Sequence, residues 1–201
     1  YIVGPVIRLV DKVTTPSGFL RDVFKQFYNI EAEIVPNIVD LHQFKFKKRE
    51  LFRPSFIVTR SLENIYNVEC VIRAFKHIVE KVPESRLDIL GDGSLRQKLE
   101  GKVKALGLND AVTFHGELSH SKVQWYYENS DIFLNASNVD NLPGTILESF
   151  ACGLPVVSTN AGGIPYMVDN NKTGLLVEKN DHVALTEKAL SQNLGKPTLI
   201  A

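Results

Sequence analysis

Two acidic residues, Asp140 and Glu148, are separated by seven residues that contain Asn141, Pro143 and Gly144 and then an apolar helical start. This order places Asp140 on a loop and Glu148 inside a helix whose first backbone N–H groups have no partner within the helix. Such a helix N-terminus attracts phosphate through its unpaired donors and its dipole. Two carboxylates on either side of a phosphate cradle suit a ligand with hydroxyl groups on both sides of a diphosphate. A nucleotide sugar is such a ligand.

The residues around this acid pair resemble the glycosyl transferases group 1, a family of retaining enzymes with the GT-B fold. The family pattern is an acid, seven residues, a Glu, a helix of small residues and then G-x-P-V-V. Asp140, Glu148, Ala151 and residues 153–157 (GLPVV) occupy those places here. The resemblance covers about residues 13–190. Its other segments follow the family's order: residues 35–40 (VPNIVD) with Phe44, 90–93 (LGDG), 112–116 (VTFHG) and 161–165 (AGGIP).

The resemblance implies different roles for the two acids. It implies that Glu148 accepts hydrogen bonds from the ribose hydroxyls of a nucleotide. It implies that Asp140 contacts sugar hydroxyls near the reacting carbon, although the family usually has Glu there and Asp is one methylene shorter. The residues alone allow a plainer interpretation, in which Glu148 bonds to neighbouring backbone and Asp140 forms an Asx-type turn.

The segment between the acids is the expected phosphate cradle. Family members often have Gly where Pro143 stands, and proline has no N–H to donate. The donors are therefore expected from Gly144, Thr145 and Ile146, with the Thr145 hydroxyl and Asn141 also at the site. The alternative is an ordinary helix that begins with proline.

Arg60 directly follows the predicted strand 55–59, and the family places an Arg that faces the diphosphate there. The family also has a Lys about six residues later, and Tyr66 stands at that place here. The missing Lys predicts slow chemistry, a different donor, or a phosphate contact through the Tyr66 hydroxyl. The alternative is that Arg60 is an ordinary surface residue.

Three further segments of the site are two glycine turns and one strand end. The family uses the turn at Gly91 and Gly93 to approach the nucleotide closely, although a tight strand-to-helix turn alone explains a G-x-G. The family holds the base near His115 mostly through backbone groups, so we do not assign His115 as a catalytic base. Gly162 and Gly163 are expected to form another turn at the cleft. The other histidines lack the spacing of a metal site or a catalytic triad.

Composition indicates a globular protein rather than a nucleic-acid binder. The 201 residues carry zero formal net charge, and 44% of them are hydrophobic, so strong attraction to nucleic acid is not expected. Cys70 and Cys152 lie in apolar helical patterns, so a disulfide framework is not expected and a reducing, cytoplasmic setting is favoured. No apolar run is long enough to span a membrane, and no secretory signal opens the sequence. Basic residues concentrate in one segment, and we expect them to form a solvated linker. The alternative is contact with an anionic membrane or acceptor. These residues are Lys45, Lys47, Lys48, Arg49 and Arg53.

Alternating strand and helix patterns predict an α/β fold, with a Rossmann-like parallel sheet and helices on both faces. The resemblance makes this the C-terminal half of a GT-B fold. Residues 1–46 are expected to be the end of an acceptor-side domain plus the interdomain segment, and residues 47–201 the nucleotide-sugar-binding domain. Predicted strands are 12–15, 32–35, 55–59, 86–90, 111–115, 131–135, 155–158 and 174–177. Predicted helices are 3–10, 18–27 with Ser17 as N-cap, 67–82, 95–106, 119–129, 145–152, 164–168 and 181–191.

The resemblance implies transfer of a sugar from a nucleotide diphosphate to an unknown acceptor, with retained anomeric configuration. It implies a hexosyltransferase type of enzyme that needs no metal and no cofactor, and the sequence has no Asp-x-Asp pair. With no initiator Met and an abrupt end, the chain reads as a fragment expected to bind the donor but to turn over poorly. The alternatives are a GT-B nucleotide-sugar epimerase, a non-catalytic nucleotide-sugar-binding module and, least favoured, a flavodoxin-like signalling domain.

Overall fold

The centre of the molecule is a sheet of six parallel strands, and two short strands form a separate parallel pair. The computed structural model describes residue 7, residues 9–49 and residues 53–192. The strands are β1 (Thr14–Thr15), β2 (Glu33–Ile34), β3 (Ser55–Thr59), β4 (Arg86–Leu90), β5 (Val112–Gly116), β6 (Ile132–Leu134), β7 (Val156–Thr159) and β8 (Leu175–Val177). The α-helices are α1 (Gly18–Tyr28), α2 (Val68–Lys81), α3 (Arg96–Ala105), α4 (His120–Asn129), α5 (Gly144–Ala151) and α6 (His182–Ser191). In the described part of the chain, the two 3₁₀ helices are η1 (Asn64–Tyr66) and η2 (Ile164–Tyr166). The strand order of the central sheet is β5-β4-β3-β6-β7-β8, and β1 pairs with β2.

Successive residues of each strand point to opposite faces of the central sheet, and each face is covered by packed side chains. On one face Phe56 of β3 packs against Phe75 of α2, with ring centroids 5.8 Å apart. On the other face Tyr127 of α4 packs against Phe133 and Phe44. Strands buried on both sides explain the continuous apolar runs of the sequence and confirm the predicted layered α/β fold.

The helices start and stop where local chemistry allows. The Ser17 side chain accepts a hydrogen bond from the Leu20 N–H at 3.1 Å, which confirms the predicted N-cap of α1. The same helix ends at Asn29, which adopts a left-handed conformation with φ of 52°. In α2 the buried residues Val68, Val71 and Ile72 recur at helical spacing, so this helix presents one apolar stripe to the sheet.

The predicted element bounds differ from the observed ones by at most two residues wherever the structure describes them. The predicted helix at residues 164–168 is a single 3₁₀ turn, and its Pro165 cannot donate a backbone hydrogen bond. Most of the predicted helix 3–10 lies outside the described residues. Cys70 and Cys152 are free and buried, and burial raises the pKa of each thiol to about 11. No helix in the described part of the chain is long and apolar enough to cross a bilayer.

Arg49 corrects the interpretation of the basic group, because its guanidinium is neither solvated in a linker nor free for a membrane. Its nitrogens donate to the backbone carbonyls of Ser130 at 2.8 Å, Tyr127 at 2.7 Å, Cys152 at 2.8 Å and Lys47 at 2.9 Å. Three of these carbonyls lie at the C-terminal ends of α4 and α5, where carbonyl groups lack helical partners and attract a cation. Arg49 therefore fixes the segment before β3 to both helices.

Candidate functional site

The strand order predicts a ligand-binding crevice at the centre of the sheet. The chain runs outward from β3 through β4 to β5, then returns to the other side of β3 as β6 and continues to β7 and β8. Ligands of such sheets bind beyond the carboxyl ends of the strands at the point where the order reverses. That point lies between β3 and β6, and the residues that follow these two strands include Arg60 and Asp140.

Arg60 and Asp140 form an ion pair at this switch point. Arg60 Nη2 lies 2.7 Å from Asp140 Oδ2, and Arg60 Nε donates to Asn135 Oδ1 at 3.1 Å. Only 9% of the Arg60 side chain and 11% of the Asp140 side chain are exposed, so the surface interpretation of Arg60 is wrong. Burial lowers the pKa of Arg60 and the Asp140 charge opposes that shift. A guanidinium stays protonated in proteins, so a buried positive charge is held here.

Both carboxylate oxygens of Asp140 have protein partners. While Oδ2 meets Arg60, Oδ1 accepts a hydrogen bond from the backbone N–H of Asn141 at 3.0 Å. Tyr66 completes the surroundings of the cation, because its ring centroid lies 5.1 Å from Arg60 Cζ. Tyr66 therefore contacts Arg60 through a cation–π interaction.

Glu148 lies on α5 and points to a buried tyrosine. Its Oε2 accepts a hydrogen bond from the Tyr127 hydroxyl at 2.8 Å, and that hydroxyl lies 2.6 Å from Thr59 Oγ1. The plainer interpretation, in which Glu148 bonds to neighbouring backbone, is not what the structure shows. Burial first, and the Glu148 charge second, raise the pKa of Tyr127 well above its usual range.

The expected phosphate cradle is the N-terminus of α5. The described residues offer no acceptor to the N–H groups of Gly144 and Thr145, and a Cβ on Gly144 would meet nothing within 4 Å. Thr145 Oγ1 is buried and makes no hydrogen bond within the described chain. Ile146 differs from the expectation, since its N–H already donates to the Pro143 carbonyl at 3.1 Å. The free N–H groups of Gly144 and Thr145 can donate hydrogen bonds to an anion here.

The loop that carries Asp140 is fixed on two sides. The Ser17 hydroxyl bonds to Asn141 Oδ1, so this side chain points to the start of α1. On the other side, a Cβ on Gly162 or Gly163 would overlap the backbone carbonyl of Asp140 or Asn141. The Gly163 N–H donates to the Asp140 carbonyl at 3.0 Å. The predicted glycine turn thus packs directly against the backbone of the loop that carries Asp140.

Gly91 and Gly93 have a packing reason of their own. Gly91 has φ of 123°, which side chains rarely adopt, and a Cβ there would overlap the Arg60 carbonyl. A Cβ on Gly93 would lie 2.7 Å from the Leu62 carbonyl oxygen. The turn after β4 therefore packs directly against the segment that carries Arg60.

His115 does not join the Arg60 and Asp140 cluster. It lies on β5, with Nε2 2.6 Å from Asp88 Oδ1 and Nδ1 3.0 Å from the Tyr126 hydroxyl. Both ring nitrogens are thus occupied by protein groups. The described residues also contain no group of three or more His, Cys, Asp or Glu side chains arranged to hold a metal ion.

The sequence did not identify Asn135, Thr59 or Tyr127 as site residues. Asn135 ends the apolar run of β6, and a polar residue at that place is the one signal that could have found it. Nothing in the sequence distinguishes Tyr127 from the adjacent Tyr126. Their contacts depend on how α4 crosses the sheet.

A model of the family described as glycosyl transferases group 1 matches residues 42–192 of this chain. The chain belongs to this family. Its glycosyl transferases group 1 relatives include the alpha-monoglucosyldiacylglycerol synthase of Streptococcus pneumoniae, which is 28% identical over 184 residues. That match covers 83% of this chain and 41% of the synthase. The GDP-mannose-dependent alpha-(1-6)-phosphatidylinositol monomannoside mannosyltransferase of Mycolicibacterium smegmatis is 28% identical over 195 residues, covering 88% of this chain and 51% of the enzyme.

Solved structures share the fold of this chain. The C-terminal domain of the group 1 protein LpcC from Francisella tularensis aligns with a TM-score of 0.69 and 21% identity, over 76% of this chain and 86% of that domain. Anabaena HepE, solved with UDP and glucose, aligns with a TM-score of 0.80 and 19% identity, over 92% of this chain and 54% of HepE. These likenesses confirm the predicted fold, the C-terminal half of a GT-B protein. The chain spans about half of the length of these two relatives and of HepE, or less.

Proposed function

We propose that this chain is the donor-binding part of a glycosyltransferase, which takes a sugar from a nucleotide diphosphate sugar and retains its anomeric configuration. The observation that carries the proposal is the switch-point geometry, where the Arg60 and Asp140 pair lies at the carboxyl ends of β3 and β6. The open N-terminus of α5 and the Glu148 carboxylate follow on the next element of the chain.

In this proposal the diphosphate binds between Arg60 and the first N–H groups of α5. The open donors are Gly144 and Thr145, with the unpaired Thr145 hydroxyl beside them. A guanidinium and a helix N-terminus both stabilise negative charge as it develops on a departing diphosphate. We propose that these groups carry that charge without a metal ion.

Glu148 is proposed to bind the ribose hydroxyls, and Asp140 to hold Arg60 and face the sugar. The base is proposed to lie towards the turn at Gly91 and Gly93 and the end of β5 near His115. The printed names support a nucleotide-linked donor, since one relative is GDP-mannose-dependent and one structural neighbour holds UDP and glucose. Because these two differ in base and sugar, neither is assigned to this chain.

The acceptor is proposed to bind outside the larger region. Residues 1–46 are proposed to be the end of an acceptor-side domain and its connection, and residues 47–201 the donor domain. The acceptor could be a glycan, a lipid or a small molecule; the names of two relatives point to glycolipids.

Binding of the donor tests this proposal. The full chain is titrated with UDP, GDP and ADP by calorimetry, and binding of at least one is expected. Glu148→Ala should weaken the tightest of them by about 1–3 kcal/mol, the scale for losing a hydrogen bond to a charged group. Glu187→Ala, an exposed acid on α6, is the matched control and should change nothing. Absence of binding by all three nucleotides, or unchanged binding by Glu148→Ala, rejects the site.

A non-catalytic nucleotide-sugar-binding module is the second candidate, because Tyr66 replaces the family's Lys. In this case the protein binds the nucleotide but transfers no sugar. Assay of the full-length protein with radiolabelled UDP-glucose and GDP-mannose separates the two candidates. Formation of labelled product, or release of nucleoside diphosphate that depends on an acceptor, identifies the enzyme.

A further inference from the structure

Tyr127 is fully buried between β3 and α5, and its hydroxyl is the centre of a chain of hydrogen bonds. Thr59 Oγ1 lies 2.6 Å from this hydroxyl, and Glu148 Oε2 lies 2.8 Å from it. The Thr145 carbonyl oxygen is farther away, at 3.4 Å. A polar atom this deeply buried is costly unless its hydrogen bonds are made.

The direction of the chain follows from the number of protons. An ionised carboxylate only accepts hydrogen bonds, so the single phenolic proton of Tyr127 is donated to Glu148. The Thr59 hydroxyl must then donate to the Tyr127 oxygen. Because the pKa of Tyr127 is raised by its burial and by Glu148, this hydroxyl keeps its proton at neutral pH. The Tyr127 hydroxyl is therefore available as a donor to Glu148 at neutral pH.

This bond leaves the two oxygens of Glu148 in different situations. Oε2 is held by the protein, whereas none of the described residues donates a hydrogen bond to Oε1. Thr59 is the last residue of β3 and directly precedes Arg60. The same hydrogen-bond chain thus connects Glu148 of α5 to the strand that presents the cation of the switch point.

We infer that Tyr127 is a positioning residue that fixes the Glu148 carboxylate so that its free oxygen selects the ribose diol of the donor. This inference rests on the proposed function, in which Glu148 binds the ribose. Tyr127 itself is fully buried, so its proposed action is through Glu148. Its effect is on the discrimination between a ribonucleotide and a nucleotide without ribose hydroxyls, because only the former can use an oriented carboxylate.

The test compares UDP with 2′,3′-dideoxy-UDP by calorimetry on the full chain, and GDP with 2′,3′-dideoxy-GDP if GDP binds more tightly. The measured quantity is the ratio of the dideoxy Kd to the ribonucleotide Kd. Wild type should give a ratio of about 10 or more, the scale of one hydrogen bond to a charged group. Tyr127→Phe should lower this ratio by at least threefold, mostly through a weaker ribonucleotide Kd. Glu148→Gln should lower it in the same way.

A general loss of stability does not imitate this result. Thr186→Val is the matched control, since it removes another buried hydroxyl that bonds to the Ala74 carbonyl between α6 and α2, away from the site. It should leave the ratio unchanged even if its melting temperature falls. If Tyr127→Phe does not fold, the double variant Thr59→Val/Tyr127→Phe removes both hydroxyls together, which leaves no unpaired partner between them.

The outcomes separate the inference from the proposed function. A Tyr127→Phe ratio within threefold of wild type, with the wild-type ratio high, overturns the positioning role and leaves the donor site intact. A wild-type ratio near one overturns both the ribose role of Glu148 and the inference. Failure of wild type to bind any of the nucleotides counts against the donor site itself.

Discussion

Arg60 uses its guanidinium as a fork rather than as a point charge. Nη2 meets Asp140 and Nε meets Asn135, while the described residues offer no acceptor to Nη1. The Tyr66 ring adds a third contact. A planar guanidinium distributes five donors over three nitrogens, so it can keep these contacts and still present an N–H group to a phosphate, whereas an ammonium has its three donors on one nitrogen.

Arg60→Lys should therefore weaken binding of UDP, or of whichever nucleoside diphosphate binds most tightly, by about tenfold, since it loses the fork geometry but keeps the charge. The measurement is the Kd from calorimetry at fixed salt. Arg53→Lys is the control, because the Arg53 side chain is exposed and only its backbone N–H bonds to Asp131. Binding within twofold of wild type for Arg60→Lys would contradict a fork-specific role.

Among the elements, α2 and α3 are connected by one carboxylate. Glu69 on α2 lies 2.7 Å from Arg73, 3.2 Å from Lys98 and 3.3 Å from Lys102, the last two on α3. The pKa of Glu69 is lowered to about 2, mainly by the hydrogen bond from Arg73 and further by the hydrogen bonds from Lys98 and Lys102. The two helices thus share an ionic contact on the surface that covers one face of the sheet.

A lowered pKa in the folded state means that Glu69 stabilises the fold above its unfolded pKa, near 4.5, and loses this contribution as the pH falls towards 2. Glu69→Gln should therefore lower the free energy of unfolding at pH 7 by about 1 kcal/mol, the upper range for exposed ion pairs. The deficit should shrink below pH 4.5. Urea denaturation at pH 7 and pH 3 measures it, and an equal deficit at both values would contradict the ionic origin.

The elements were also the part of the structure that the sequence predicted well. Apolar runs such as residues 56–58 and 132–134 and the N-cap Ser17 specify strands and a helix start through local chemistry. The contacts of the site are different. Tyr127 meets Glu148 across 21 residues, and Arg60 meets Asp140 across 80. Such contacts depend on strand order and side-chain direction, which composition and spacing do not determine.

At the scale of the whole molecule, Arg49 joins the segment before the sheet to the helices on one face. Its four backbone acceptors belong to Lys47, Tyr127, Ser130 and Cys152. Burial lowers the pKa of this guanidinium, while Asp131 acts in the opposite direction. Arg49 therefore holds residues 47–49 against these helices, together with the Lys47 N–H, which donates to the Cys152 carbonyl at 3.3 Å.

Arg49→Met keeps much of the side-chain volume and removes every donor, so the free energy of unfolding should fall by about 2 kcal/mol, on the scale for hydrogen bonds to a charged group. Chemical denaturation measures the loss. Lys45→Met, at an exposed position of the same basic group, should stay within about 0.5 kcal/mol of wild type. A similar small effect for both variants would mean that the Arg49 contacts contribute nothing net.

Gly162 and Gly163 show how the shape of this molecule depends on missing atoms. The backbone of the Asp140 loop occupies the space that a methyl group on either glycine would need. A carbon added there would overlap the carbonyl oxygen of Asp140 or Asn141, so the loop that carries the acid could not keep this position. The positions least free to vary in this chain thus include two that have no side chain at all.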